Sequence, residues 1–213
     1  MSSRIRSRAC WVALRPSVAS WRGASLPRTL ETSQVKAMIA GCDLGTEVGL
    51  RDQAILVVLA RLGLRTAEVA ALRLEDLDWR VGQVLVRGKG NRVERLPVPV
   101  AVGEALTGYL TGGRPRCACR SVFVTARGRP PRPLTATAVR RVVARACARA
   151  GLPRLGAHRL RHTLASDMLR AGTPLAQVGQ VLRHRAQLST AIYAKVDHAS
   201  LRELARPWPG GAA

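Results

Sequence analysis

A chain of 213 residues is long enough for one domain with a full hydrophobic core and short for two of ordinary size. Lys and Arg number 35 against 13 Asp and Glu, a formal charge of +22 that draws polyanions to the surface and makes nucleic acid the leading partner. Hydrophobic residues make up 47% but aromatics only 3%, so the core must be built from Leu, Val, Ala and Ile; no apolar run approaches membrane-spanning length, and five scattered cysteines form no disulfide framework.

Residues 1–26 are rich in Arg and Ser, contain no acid and keep no sustained period, which reads as a basic irregular arm or linker. Arg- and Ser-rich, acid-poor starts also occur in organellar transit peptides. The first helix is expected after Pro27, capped by Thr32 or Ser33, with Val35, Met38 and Ile39 on its apolar face. A second covers about Val48 to Arg61, is apolar enough at "AILVVLA" to be buried on nearly all sides, and stops at Gly63. A short helix follows through "TAEVAAL". The period then changes: "QVLVRGKGNRVERLPV" holds two β-type runs around a Gly88-Lys89-Gly90-Asn91 turn, and "SVFVT" is expected as a third strand. After the Pro-rich stretch, Thr135 caps a helix to about Ala150, another runs from about Ala157 to Ala171 and ends at Gly172, and Thr173-Pro174 opens a third. Ser189 opens a helix carrying Tyr193, and a short one starts near Ala199. The fold class is mostly α with a small antiparallel β-sheet.

Within this frame a few residues stand out chemically. His158 and Arg161 lie three apart at a helix N-terminus, where shared facing and the helix dipole suit an anion; for His158 alone, a half-buried polar residue satisfying the helix end is the plainer reading. His162 follows four after His158, but the zinc-protease pattern needs Glu where this chain has Arg159, and neighbouring arginines repel a cation. Cys117 and Cys119 lack a second ligand pair at zinc spacing, so no metal is expected. Lysine is scarce, confined to Lys36, Lys89 and Lys195, and Lys89 sits at a hairpin tip. An ammonium can give up a proton where a guanidinium cannot, which suits a general acid; a solvated turn residue is the plainer alternative. Arg65 follows a helix break, where the chain reversal allows it to face a cleft and where Glu68 either orients it or caps the short helix; an ordinary surface charge is the plainer alternative.

In order, "GLRTAEVAALRLEDLDW", "VRGKGNRVERLPV", "AHRLRHTLASDMLRAG" and "VLRHRAQLSTAIYAKVD" resemble the catalytic domain of the tyrosine recombinase, or phage integrase, family. The resemblance assigns Arg65, Lys89, His158, Arg161, His184 and Tyr193 to the catalytic site, with Tyr193 as nucleophile. It implies strand breakage and rejoining in double-stranded DNA through a 3′-phosphotyrosyl link, without cofactor or metal, by a cytoplasmic, nucleoid-associated enzyme assembling as a homotetramer on DNA. Arg65 and Arg161 would clamp the non-bridging oxygens, His184 would add a donor, Lys89 would protonate the leaving 5′ oxygen and His158 would assist the tyrosine.

The resemblance makes residues 27–207 the catalytic domain and residues 208–213 a flexible tail. Family members usually carry a separate N-terminal core-binding domain, absent from this organisation, so weak or unspecific DNA binding is expected of the chain alone. "VLRH" departs from the commoner Leu-Gly-His by placing Arg183 where a small residue usually stands, and "LRELARPWP" resembles the tail passed between subunits. A non-enzymatic helix-turn-helix protein explains the charge and the last helices but gives Arg65 and Lys89 no role. An inactive integrase remnant keeps the fold without turnover.

Overall fold

The computed structural model describes residues 29–88, 92–126, 128 and 130–183. Its centre is a helix without a wet side. Helix α2 (Glu47–Leu62) buries Ala54, Ile55, Leu56, Val57, Val58 and Leu59 in succession, as the unbroken apolar run demands. Each fully buried Leu or Ile there contributes about 2 kcal/mol of transfer free energy. Thr46 accepts the Gly49 N–H at 3.0 Å to start the helix, and Gly63, at φ 58°, ends it in a left-handed turn that suits glycine.

Around α2 pack α1 (Thr32–Ala40), α4 (Val100–Gly108), α5 (Ala136–Arg149) and α6 (His158–Arg170). The short α3 (Thr66–Ala71) leads from α2 toward a three-stranded antiparallel sheet in the order β1-β2-β3, with strands Leu77–Asp78, Gln83–Arg87 and Val93–Pro97. Strand β2 alternates, burying Val84 and Val86, and the register pairs Val84 with Leu96 and Val86 with Glu94. Helix α7 (Leu175–Val181) folds back on α6, and Ala165, Leu169, Val178 and Leu182 form a small second core there. Among the described residues no helix is long and apolar enough to cross a membrane.

Several expectations are corrected. "SVFVT" is not the third strand: Val122, Phe123 and Val124 are all fully buried, so the segment does not alternate, and it makes only isolated bridges from Ser121 to Arg73 and from Val124 to Pro133. Its backbone is satisfied elsewhere. The Val122 N–H donates to Leu72 O at 2.9 Å, the Leu134 N–H donates to Phe123 O at 3.0 Å, and the Val124 N–H donates to the Tyr109 hydroxyl at 3.3 Å. The third strand is instead Leu77–Asp78.

Helix α4 and the wide π turn that continues it (Tyr109–Gly113) were not expected, because Pro99 offers no capping side chain and glycines interrupt the segment. The available signal was Val102, Leu106 and Tyr109, buried at helical spacing, with Tyr109 stacked on Phe123 at 5.6 Å. Helix α1 starts one residue early, with Glu31 rather than Thr32 or Ser33 at the cap, because Gln34 accepts the Glu31 N–H at 2.9 Å. At α7 Pro174 occupies the cap position and Thr173 stands outside it. The expected helices from Ser189 and Ala199 lie outside the described residues.

Candidate active site

Arg65 caps α3 immediately beyond the Gly63 turn, and its placement is controlled by one carboxylate. The Arg65 backbone N–H donates to Glu68 Oε2 at 2.8 Å while its Nη1 donates to Oε1 at 2.7 Å, so the sequence spacing of three closes a ring around the helix start. The Arg65 side chain is 40% exposed and Glu68 5%, which leaves the guanidinium reachable by a ligand and its partner held in the protein. Glu68 thus fills both of the roles open to it, capping the short helix and orienting Arg65.

Arg161 arrives from α6, where it is buried, and its Nη1 donates to the Gly63 carbonyl at 2.5 Å. Gly63 lies two residues before Arg65, so this contact brings the two arginine-bearing segments together across 98 positions. The approach is close because residue 63 has no side chain: a Cβ there would meet Leu164 and Leu182 Cδ2 atoms, each at 3.0 Å. His158 opens the same helix and is exposed, three residues from Arg161. Burial, and then the neighbouring charges of His158, Arg159 and Arg161, lower the pKa of His162 and favour its neutral form. Among the described residues no three His, Cys, Asp or Glu side chains gather as a metal site.

Lys89 lies outside the described residues, in the stretch of chain between β2 and β3. The Gly88 N–H donates to Arg92 O at 2.8 Å, and Arg87 Nη1 reaches both oxygens of buried Asp76 at 2.5 and 2.6 Å. Asp76 also accepts the Arg73 N–H at 2.9 Å, which fastens the hairpin to the chain leaving α3. No local pattern marks this pair, since Asp76 and Arg87 become neighbours only when the strands pair. His184 and Tyr193 also lie outside the described residues. The residue before His184 is Arg183, whose Nη2 donates to Glu68 Oε2 at 2.7 Å.

Burial by itself would raise the Glu68 pKa, but the Arg65 N–H, the Arg183 charge and the Arg65 side chain together hold it below the ordinary carboxylate value. The described part of the site is therefore a cationic cluster organised around a charged, buried acid. Such a cluster is suited to a phosphate oxygen or another oxyanion.

The model of the phage integrase family matches residues 28–200. The chain is 45% identical over 199 residues to the integrase/recombinase-like protein y4rA of Sinorhizobium fredii, covering 92% of this chain and 48% of that one. It is 34% identical over 186 residues to the tyrosine recombinase XerC of Bacillus pumilus, covering 84% of this chain and 60% of XerC. It thus spans about half to three-fifths of the length of these two relatives. The crystal structure of the XerA recombinase superimposes with a TM-score of 0.71 at 26% identity, over 86% of this chain and 65% of XerA.

Proposed function

The chain belongs to the phage integrase family, and from that premise we propose that it is a site-specific DNA strand transferase with Tyr193 as its nucleophile. The observation that supports this most directly is that Arg161 rests on the Gly63 carbonyl two residues before Arg65, which brings the two arginine-bearing segments together, since two forked cations on one phosphate are what the transition state requires.

In this reading residues 27–207 form the catalytic domain. The Tyr193 oxygen attacks phosphorus, the bond to the 5′ oxygen breaks, and a 3′-phosphotyrosyl link remains. Arg65 and Arg161 neutralise the non-bridging oxygens, with His184 as a further donor. Lys89 gives its proton to the departing 5′ oxygen and His158 takes part in proton transfer at the tyrosine. The phosphotyrosine keeps the bond energy, so a 5′-hydroxyl from another strand can attack it and release the enzyme. Double-stranded DNA is the substrate, and a homotetramer on two duplexes is the assembly that exchanges strands.

The test is incubation with a pool of duplexes of randomised sequence, each nicked so that the short fragment bearing the 5′-hydroxyl diffuses away. A protein–DNA adduct that survives denaturation is expected from the full chain and absent from Tyr193→Phe. If neither protein gives an adduct while both bind duplex, a non-enzymatic DNA-binding role replaces this one.

A further inference from the structure

Arg183 is an unusual residue for its position. Its φ is 55°, the left-handed region that L side chains rarely adopt, and it is the non-glycine residue found there among those described. Its side chain is also only 5% exposed. A buried guanidinium requires partners, yet among the described residues the hydrogen bond it makes is from Nη2 to Glu68 Oε2 at 2.7 Å, while Nε lies 3.7 Å from Glu94 Oε2 and neither Nε nor Nη1 has a hydrogen-bond acceptor there. The strained backbone opposes this arrangement, and so does the shortage of acceptors among the described residues. A glycine would meet neither cost.

What the arrangement achieves is connection. Glu68 is the carboxylate that orients Arg65. Glu94 lies on β3, opposite Val86, and Lys89 falls in the chain between these two strands. Arg183 itself precedes His184 in the chain, and Leu182 before it is fully buried, in the second core and against the Gly63 turn. One guanidinium thus faces acids from two catalytic segments and sits at the entrance to a third.

We propose that Arg183 is a positioning residue for strand transfer, a buried clasp whose hold on Glu68 and Glu94 sets Arg65 and the Lys89 hairpin relative to the segment that begins at His184. This rests on the strand-transferase reading. It differs in that Arg183 acts through Glu68 and touches no reacting atom.

The experiment uses the full chain with four changes: Arg183→Gly, Arg183→Lys, Glu68→Gln and the Arg183→Gly/Glu68→Gln pair. Melting temperature, duplex affinity and the rate of adduct formation at saturating protein are measured for each. Arg183→Gly relieves the backbone strain and is expected to fold, to bind duplex within about twofold of the parent, and to form adduct about tenfold or more slowly. The double variant should be no more than about twofold slower than Glu68→Gln alone, because both changes cut one link. Arg183→Lys should recover part of the rate, since an ammonium keeps the charge beside Glu68 without the fork.

Adduct formation by Arg183→Gly at the parent rate overturns the proposal, as does a parallel loss of rate, affinity and melting temperature, which is the signature of a merely structural residue. If the parent chain forms no adduct, it is the strand-transferase reading that fails. The melting temperatures still decide the clasp in that case: strictly additive shifts from Arg183→Gly and Glu68→Gln mean that the two residues do not work together.

Discussion

At the scale of single residues, the site is governed by the imbalance around Glu68. One carboxylate serves Arg65 through two contacts and Arg183 through a third, and its charged form is what all three require. Because these partners outweigh burial, its pKa in the folded chain lies below the value in the unfolded chain. The stability it contributes is therefore complete above the ordinary Glu range of about 4.3 and is lost as pH falls through the lower, folded value. Unfolding of the parent chain, followed by denaturant midpoint, should weaken between about pH 5 and about pH 3 more than that of Glu68→Gln, which carries no proton-linked charge at this position. Equal slopes for the two proteins would mean that Glu68 is not charged and paired in solution.

The decisive element boundary is the end of α2. A helix with a fully buried centre has to stop abruptly if the next residues are to reach the surface, and Gly63 provides that stop at φ 58°. The same residue offers its carbonyl to Arg161 and leaves room for Leu164 and Leu182. Gly63→Ala is expected to cost about 1–2 kcal/mol from the left-handed backbone alone, before the crowding against the two leucines is counted. Since the crowding pushes on the Arg161 side, adduct formation should fall further than duplex affinity. Denaturant unfolding and single-turnover cleavage on one preparation check both parts; a stable Gly63→Ala protein of normal rate would mean that the turn is not a support of the site.

For the whole molecule, the excess of 35 basic over 13 acidic residues exceeds what the active-site arginines need. Some arginines are internal structure: Arg51 and Arg145 both hold Asp52, at 2.8 and 2.9 Å, and Arg114 binds the carbonyls of Cys119 and Ser121 at 2.5 and 2.9 Å. The exposed remainder is available to a phosphate backbone. Duplex affinity measured by anisotropy should fall with a slope of log K against log salt of about −5 or steeper, as for roughly six or more phosphate contacts. A slope near about −1 would confine DNA contact to one or two cations.

The amino-acid sequence alone determined the helical class, the buried character of α2, its glycine stop, the Thr135 cap and the hairpin around Lys89, because each depends on local period or turn chemistry. It also marked Arg65, His158 and Arg161 as candidates, through residue types in a characteristic order. It did not reveal that "SVFVT" leaves the sheet, because a wholly apolar run reads the same whether it lies in a strand or threads the core. Only the tertiary structure decided that Arg161 rests on the Gly63 carbonyl, that Asp76 anchors Arg87, and that Arg183 is buried between Glu68 and Glu94. Those pairings join residues distant in the chain, and local preference cannot specify which distant charges meet; that is set by the packing of α2, α3, α6 and the hairpin around one core.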